Sequence, residues 1–330
     1  MTSRMQSLVA ALGAGTVLTL GTASGAMAQE AWPSRPIQLI VASSAGSGTD
    51  ALARLMGQRL SEVLKQPVVV DARPGGSGII AAKAVIKAPN DGYTLLYATA
   101  SGHVIAPSVM KHYPLDLRKG LVPVAQTMEG GVILAVNAEL PVHNLSELIN
   151  FVKANPDKYS YATWANGSSA NLTMEWLKKK TGMKTEHVAY KTSTQLLTDV
   201  SSGVVKIGWA DPSVMTPFVR SGKVRPIAIP GNVRPPQFPE VQTMGEQGYG
   251  FDAVGWFGVF APAGTDPAIV KRLHAEINKV QQSPEAAAMM KNMNFGPPPA
   301  KTTEQFRDIV DSDLNTWSKI AADAGIQLDL

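Results

Sequence analysis

From Ile37 onward the chain alternates short apolar runs with segments of helical spacing, which restricts it to α/β architectures made of βα units around mainly parallel sheets. Residues 37–41 read as a buried strand, after which Leu52, Leu55, Met56, Leu60, Val63 and Leu64 share one face of a helix starting at Asp50. Strands at 68–70 and 94–98 enclose the turn Arg73-Pro74-Gly75-Gly76-Ser77-Gly78 and a helix through Lys87. Further strands are expected at 122–126, 132–136, 159–163, 187–190, 204–209 and 227–229, with helices at 146–154, 170–180 and 193–202. A strand at 254–260 and three helices follow, and Thr302 with Gln305 fit a capping box on the last. Single cores rarely serve more than about 250–300 residues, so two successive sets of βα units predict two α/β domains.

Composition narrows the chemistry. With 45% hydrophobic and 17% charged residues among 330, the chain is too apolar to be disordered. The absence of Cys excludes thiolate metal sites, redox pairs, Cys nucleophiles and disulfides. His103, His112, His143, His187 and His274 lack the spacing of a helical zinc site, and no cofactor is expected. A formal charge of +4, spread along the chain, gives no footprint for nucleic acid. Arg4, the acid-free apolar stretch 8–20 and Ala26-Met27-Ala28 read as a secretory leader cleaved near Ala28. That stretch is shorter than the roughly 20 residues a membrane-spanning helix needs. The expected product is a protein not embedded in the membrane, in the periplasm of a bacterium.

Two turns carry the functional signal. Ser43-Ser44-Ala45-Gly46-Ser47-Gly48-Thr49-Asp50 lies between a strand and a helix, and part of it matches the G-x-G-x-x-A form of a dinucleotide fingerprint, with Asp71 after the next strand. A nicotinamide enzyme is out of place behind a secretory leader. Unpaired N–H groups at a helix start attract a negative oxygen in either case. The plainer reading is a tight turn with Asp50 as an N-cap. Trp164-Ala165-Asn166-Gly167-Ser168-Ser169 repeats the pattern, although Ser168 and Ser169 could simply cap their helix. If strand C-terminal ends face each other, both turns border one cleft. Trp164 and Trp209, at strand ends, are candidates to stack on a planar ligand, with core packing as the alternative. Ser168 is not in a G-x-S-x-G elbow, which leaves a Ser168–His187 hydrolase as the enzymatic alternative.

The ordered motifs Trp32-Pro33-Ser34-Arg35-Pro36-Ile37, Gly48-Thr49-Asp50, Arg73-Pro74-Gly75, Asp91-Gly92-Tyr93-Thr94-Leu95-Leu96, Asn166-Gly167-Ser168-Ser169, Val188-Ala189-Tyr190-Lys191 and the run from Trp256 through Thr265 resemble the Bug-type periplasmic solute receptors of tripartite tricarboxylate transporters. The resemblance implies a type II-like periplasmic binding-protein fold, two Rossmann-like lobes joined by a hinge, closing as a monomer on a small carboxylate for delivery to membrane permease subunits. Residues 29–128 with 252–330 would form one lobe and 129–251 the other. It places the ligand carboxylate against residues 43–50 and 166–169. Ser77, Thr99, Ser101, Trp164, Trp209 and Asp211 complete the candidate ligand-binding set. This chain departs from the family pattern at Ala42-Ser43-Ser44-Ala45 and at Trp209-Ala210-Asp211, both at the expected cleft, which leaves the carboxylate anchor intact; given Trp164 and Trp209, the expected ligand is a mono- or dicarboxylate, aromatic ones included. A sensing subunit for a membrane kinase would use the same site.

Overall fold

In the computed structural model, residues 32–231, 234–251, 253–292 and 300–329 are described. The leader and its cleavage near Ala28 lie outside the described residues. The apolar runs become ten strands: β1 (Ile37–Val41), β2 (Val68–Ala72), β3 (Thr94–Thr99), β4 (Leu121–Gly130), β5 (Ile133–Asn137), β6 (Ser160–Thr163), β7 (Glu186–Ala189), β8 (Ile207–Ala210), β9 (Val224–Ala228) and β10 (Gly255–Pro262). They form two five-stranded sheets, ordered β2-β1-β3-β10-β4 and β7-β6-β8-β5-β9.

The sheets are mixed rather than mainly parallel. In each, three strands run parallel and the fourth, β10 or β5, pairs antiparallel with both neighbours. These reversed strands are the ones that arrive from the other sheet: β5 follows β4, and β10 follows the long connection after β9. A strand entering from outside has no βα crossover to turn it parallel. The two crossings touch where Gly255 pairs with Gly130, and a Cβ on Gly255 would stand 2.8 Å from the Gly130 carbonyl oxygen. Glycine is required there by close approach, not by an unusual φ.

Helices cover both sheets. The Gly48–Leu64 and Pro267–Gln281 helices bury Leu52, Met56, Leu60, Leu273 and Ile277 against the first sheet, and the Ser193–Ser202 helix buries Leu196, Leu197 and Val200 against the second. A third apolar cluster runs through both, from Ile40 and Leu96 to Leu134 and Tyr161, and includes Phe306 and Trp317 of the Thr303–Ala324 helix. That helix has the expected capping box of Thr302 and Gln305. The sequence pattern missed a π-helical turn, Ser101–Ile105, which runs into a short helix, Ala106–Val109. π turns insert a residue into helical spacing and so leave no clean period.

Asp313 on the last helix is 6% exposed and accepts a hydrogen bond from Trp256 Nε1 at 2.7 Å. Burial pushes its carboxyl up to about 7, the Glu129 charge adds to the rise, and the indole bond and Lys301 oppose it. Because the folded pKa lies above the unfolded value of about 3.9, the fold is favoured while both states are protonated and loses stability as pH rises from about 4 to about 7. Asp313→Asn should remove that loss. Urea unfolding is expected to show the variant gaining on the wild type between about pH 4 and pH 8, by a few kcal/mol at most. An unchanged difference would mean the carboxyl titrates normally.

Candidate ligand-binding cleft

The turn after β6 is built from its own polar atoms. Ser168 caps the Ser169–Thr181 helix, its Oγ accepting from Asn171 N at 3.2 Å and donating to the Ala165 carbonyl at 2.8 Å. Asn171, 1% exposed, reaches back: its Oδ1 accepts from Gly167 N at 2.8 Å and its Nδ2 donates to Tyr161 Oη at 2.7 Å. Gly167 has φ +71°, a left-handed conformation that favours glycine, and a Cβ there would meet the flexible end of Leu328, Cδ1, at 2.8 Å. The N–H groups of Ser169 and Ala170 have no hydrogen-bond partner among the described residues, as expected at the first positions of a helix.

The turn after β1 has the same construction with one change of chemistry. Ser47, not Asp50, is the N-cap of the Gly48–Leu64 helix, and its Oγ accepts from Asp50 N at 3.2 Å. Asp50 occupies the place of Asn171 and turns back so that Oδ2 accepts from Gly46 N and from Arg54 Nε, both at 2.8 Å. The Arg54 bond, helped by the Gly46 N–H, holds this carboxyl below the usual range against the effect of burial. The helix start in the first turn therefore already has a resident anion, whereas the second offers a neutral one.

Between the sheets lie two adjoining chambers of roughly 170 and 450 Å3, both lined by Thr99, Ser101, Trp164 and Ser169. The smaller is aromatic, walled by Met128, Trp256, Phe257 and Trp317, with the crossing residues Gly130, Gly131, Val254 and Gly255 beside it and Asp211 and Thr173 as polar groups. The larger is lined by Gly75, Ser77 and Gly78 on the first sheet's side and by Asn166, Gly167 and Ser168 on the second's, with Ile105, Val109 and Leu328 as apolar wall. Both lie beyond the C-terminal ends of parallel strands, where open α/β sheets place ligands.

Of the sequence candidates, Ser77, Thr99, Ser101, Trp164, Asn166, Gly167, Ser168, Ser169 and Asp211 come together in this cleft. Ser43, Ser44, Ala45, Gly46, Ser47, Gly48, Thr49 and Asp50 do not line either chamber: the turn closes on its own carboxylate, and only the preceding Ala42 reaches the wall. The first sheet presents instead the turn 75–78, in which even Ser77 has a left-handed φ of 51°. Its three glycines were the available sequence signal. Trp209 is also placed elsewhere. It is fully buried in the core on β8, facing away from solvent because its strand is covered on both sides. Trp256, Trp317 and Leu328 were missed because each lies far along the chain in an element that reads as ordinary core or tail.

Asp211 is the only titratable side chain lining either chamber among the described residues, and no Lys or Arg does so. Burial raises its pKa, opposed by a 3.4 Å bond from Ser193 Oγ. The polar groups lining the cleft are otherwise neutral hydroxyls, amides and backbone. His187 Nε2 lies 2.7 Å from Thr163 Oγ1, and its bonding partner is this hydroxyl and not Ser168. Asp71, the ribose candidate of the dinucleotide pattern, is bonded to Gln38 and Arg73.

A two-sheet fold with a cleft at its strand ends is the architecture of periplasmic binding proteins, and solved members superpose on it. They include R. palustris Rpa4515 with adipate (32% identity, TM-score 0.70, covering 90% of this chain and 99% of that one) and the periplasmic binding protein BugD (27%, TM-score 0.67, 90% and 99%). MatC from Rhodopseudomonas palustris with bound malate is also similar (25%, TM-score 0.67, 87% and 99%). The family model described as tripartite tricarboxylate transporter family receptor matches residues 52–326. Protein BugT of Bordetella pertussis is 34% identical over 98% of this chain and 99% of its own length, and a UPF0065 protein of Bordetella bronchiseptica is 37% identical over 86% and 84%. The chain belongs to the tripartite tricarboxylate transporter receptor family.

Asn171 tests the construction of the cleft. Asn171→Ala leaves the buried Gly167 N–H without a partner, while the Tyr161 hydroxyl keeps its bond to Glu175, and is expected to cost roughly 1–3 kcal/mol in denaturant unfolding. A cost below about 0.5 kcal/mol, the range of ordinary surface substitutions, would mean the return bond does not hold the turn.

Proposed function

We propose that this protein is a periplasmic receptor that captures a small mono- or dicarboxylate between two lobes and delivers it to tripartite tricarboxylate-type membrane permease subunits. The observation that carries this reading is the cleft whose walls offer amide and hydroxyl donors without a single cation among the described residues. Each hydrogen bond to a charged group contributes roughly 1.5–3 kcal/mol, so three or four donors approach the approximately 8 kcal/mol of a micromolar complex. The adipate and malate in two related structures support a carboxylate as the ligand class. The aromatic chamber adjoins the larger one, and Trp164 lines both.

The lobes we assign are residues 29–128 with 252–330, and 129–251, with the hinge at the Gly130–Gly255 contact. Closure about this hinge is the step we assign to the turn 43–50, which stands beside Ala42 at the rim and would reach the ligand as the lobes approach. Capture needs no chemistry, and this reading gives the Ser168 hydroxyl a capping role at its helix start instead of a nucleophilic one. Export through the leader would place it in the periplasm.

Native mass spectrometry of freshly purified protein should reveal a co-purified small acid, and calorimetry should show binding of a carboxylate from a panel of aliphatic and aromatic acids. No heat with any of them would overturn the reading. Gly167→Val and Gly48→Val are each expected to weaken binding of whichever acid gives heat, the first by about tenfold or more. An unchanged affinity in Gly48→Val alone would remove the rim turn from the site. Burial holds the Asp211 carboxyl above the ordinary carboxylate range, so as pH rises it ionises later than an exposed Asp and then adds a negative charge to the cleft; the affinity of Asp211→Asn relative to wild type should therefore increase as pH is raised. A flat ratio would place Asp211 out of reach of the ligand. Ester hydrolysis abolished by Ser168→Ala would establish the rival hydrolase.

A further inference from the structure

The Thr303–Ala324 helix ends at Gly325, with φ 66°, and the chain then turns so that Ile326 N bonds to the Ala321 carbonyl at 2.9 Å. Beyond it, residues 326–329 run extended, with Ile326 and Leu328 half-buried and Gln327 and Asp329 exposed. Leu328 is fastened by its backbone: its N–H donates to the Val109 carbonyl at 2.7 Å and its carbonyl accepts from Lys111 N at 3.1 Å, in a parallel bridge with Met110. Its side chain lines the larger chamber beside Val109, and the Cβ position at Gly167 lies 2.8 Å from its Cδ1. The tail of the chain thus passes from the last helix, along the segment that follows the π turn, to the turn that starts the second sheet's cleft helix.

We infer that residues 326–329 form a wall of the ligand cleft and that Leu328 limits the length of ligand the larger chamber accepts. This rests on the carboxylate-receptor reading. The amide and hydroxyl donors of that chamber stand on its glycine turns, so a ligand anchored there lays its carbon chain against the apolar side, made by Ile105, Val109 and Leu328. Ile105 and Val109 belong to helical turns fixed in the core, with 4% and 3% exposure, whereas Leu328 is half-buried and held by two backbone bonds. Of the three it is the side chain that can change size without disturbing the core. Leu→Ala removes three carbons from the wall, space for one or two methylenes of a ligand, and each methylene buried is worth about a fourfold gain in affinity.

The test is calorimetry of wild type, Leu328→Ala and Leu328→Phe with succinate, glutarate, adipate and suberate. Leu328→Ala is expected to move the preferred acid to a longer chain, with a gain of roughly tenfold for suberate relative to succinate, and Leu328→Phe to move it the other way. An unaltered order of the four acids in both variants would overturn the inference. If the wild type binds none of the four, the carboxylate reading is decided by the wider acid panel, and the wall is judged separately by amide hydrogen exchange on a chain ending at Ile326. Removal of the tail should speed exchange at residues 166–168 about tenfold while leaving the sheets protected, whereas unchanged protection there would overturn the wall as well.

Discussion

The architecture depends on a close contact between the two passages of chain that connect the sheets. Gly255 pairs with Gly130 so tightly that a single methyl group on the first would meet the carbonyl of the second. Because both crossings enter their sheets as reversed strands, each sheet keeps three parallel strands whose C-terminal ends point into the space between them. The cleft is a consequence of that reversal. Its floor is the crossing itself, which is why a closing motion about these residues and a bound ligand would be coupled.

The two turns that begin cleft-side helices show how one local design takes on two electrostatic characters. In both, a serine caps the helix and the residue three positions later folds back onto a glycine N–H. Asp50 brings a negative charge that Arg54 compensates, and Asn171 brings none. A helix start that is already neutralised by its own carboxylate has less to offer an anion. The second helix start therefore stays uncharged, and the first sheet's contribution to the cleft wall is the glycine turn 75–78.

Much of this was readable beforehand. Every apolar run produced a strand within a few residues, since period and length settle that question locally. The capping residues of the last helix were legible for the same reason. The turn at 164–169 was found because a strand, a glycine and two serines sit consecutively. Strand direction was not legible: β5 and β10 look like any other apolar run, and their reversal depends on which sheet they join. Trp164 and Trp209 occupy equivalent strand-end positions in the sequence, yet one lines the cleft and the other is sealed in the core. Nothing within a few residues of either tryptophan records what packs on its far side.

Taken alone, the sequence determined the α/β class, the exclusion of cysteine chemistry, and the presence of donor-rich turns at helix starts, because these are set by composition and by spacing over one or two turns of chain. Tertiary structure decided which turns share a cavity, that Asp50 is consumed by its own loop, and that Trp256, Trp317 and Leu328 join residues from the other sheet around one space. Those facts depend on contacts between segments far apart in the chain, whose geometry no local pattern encodes.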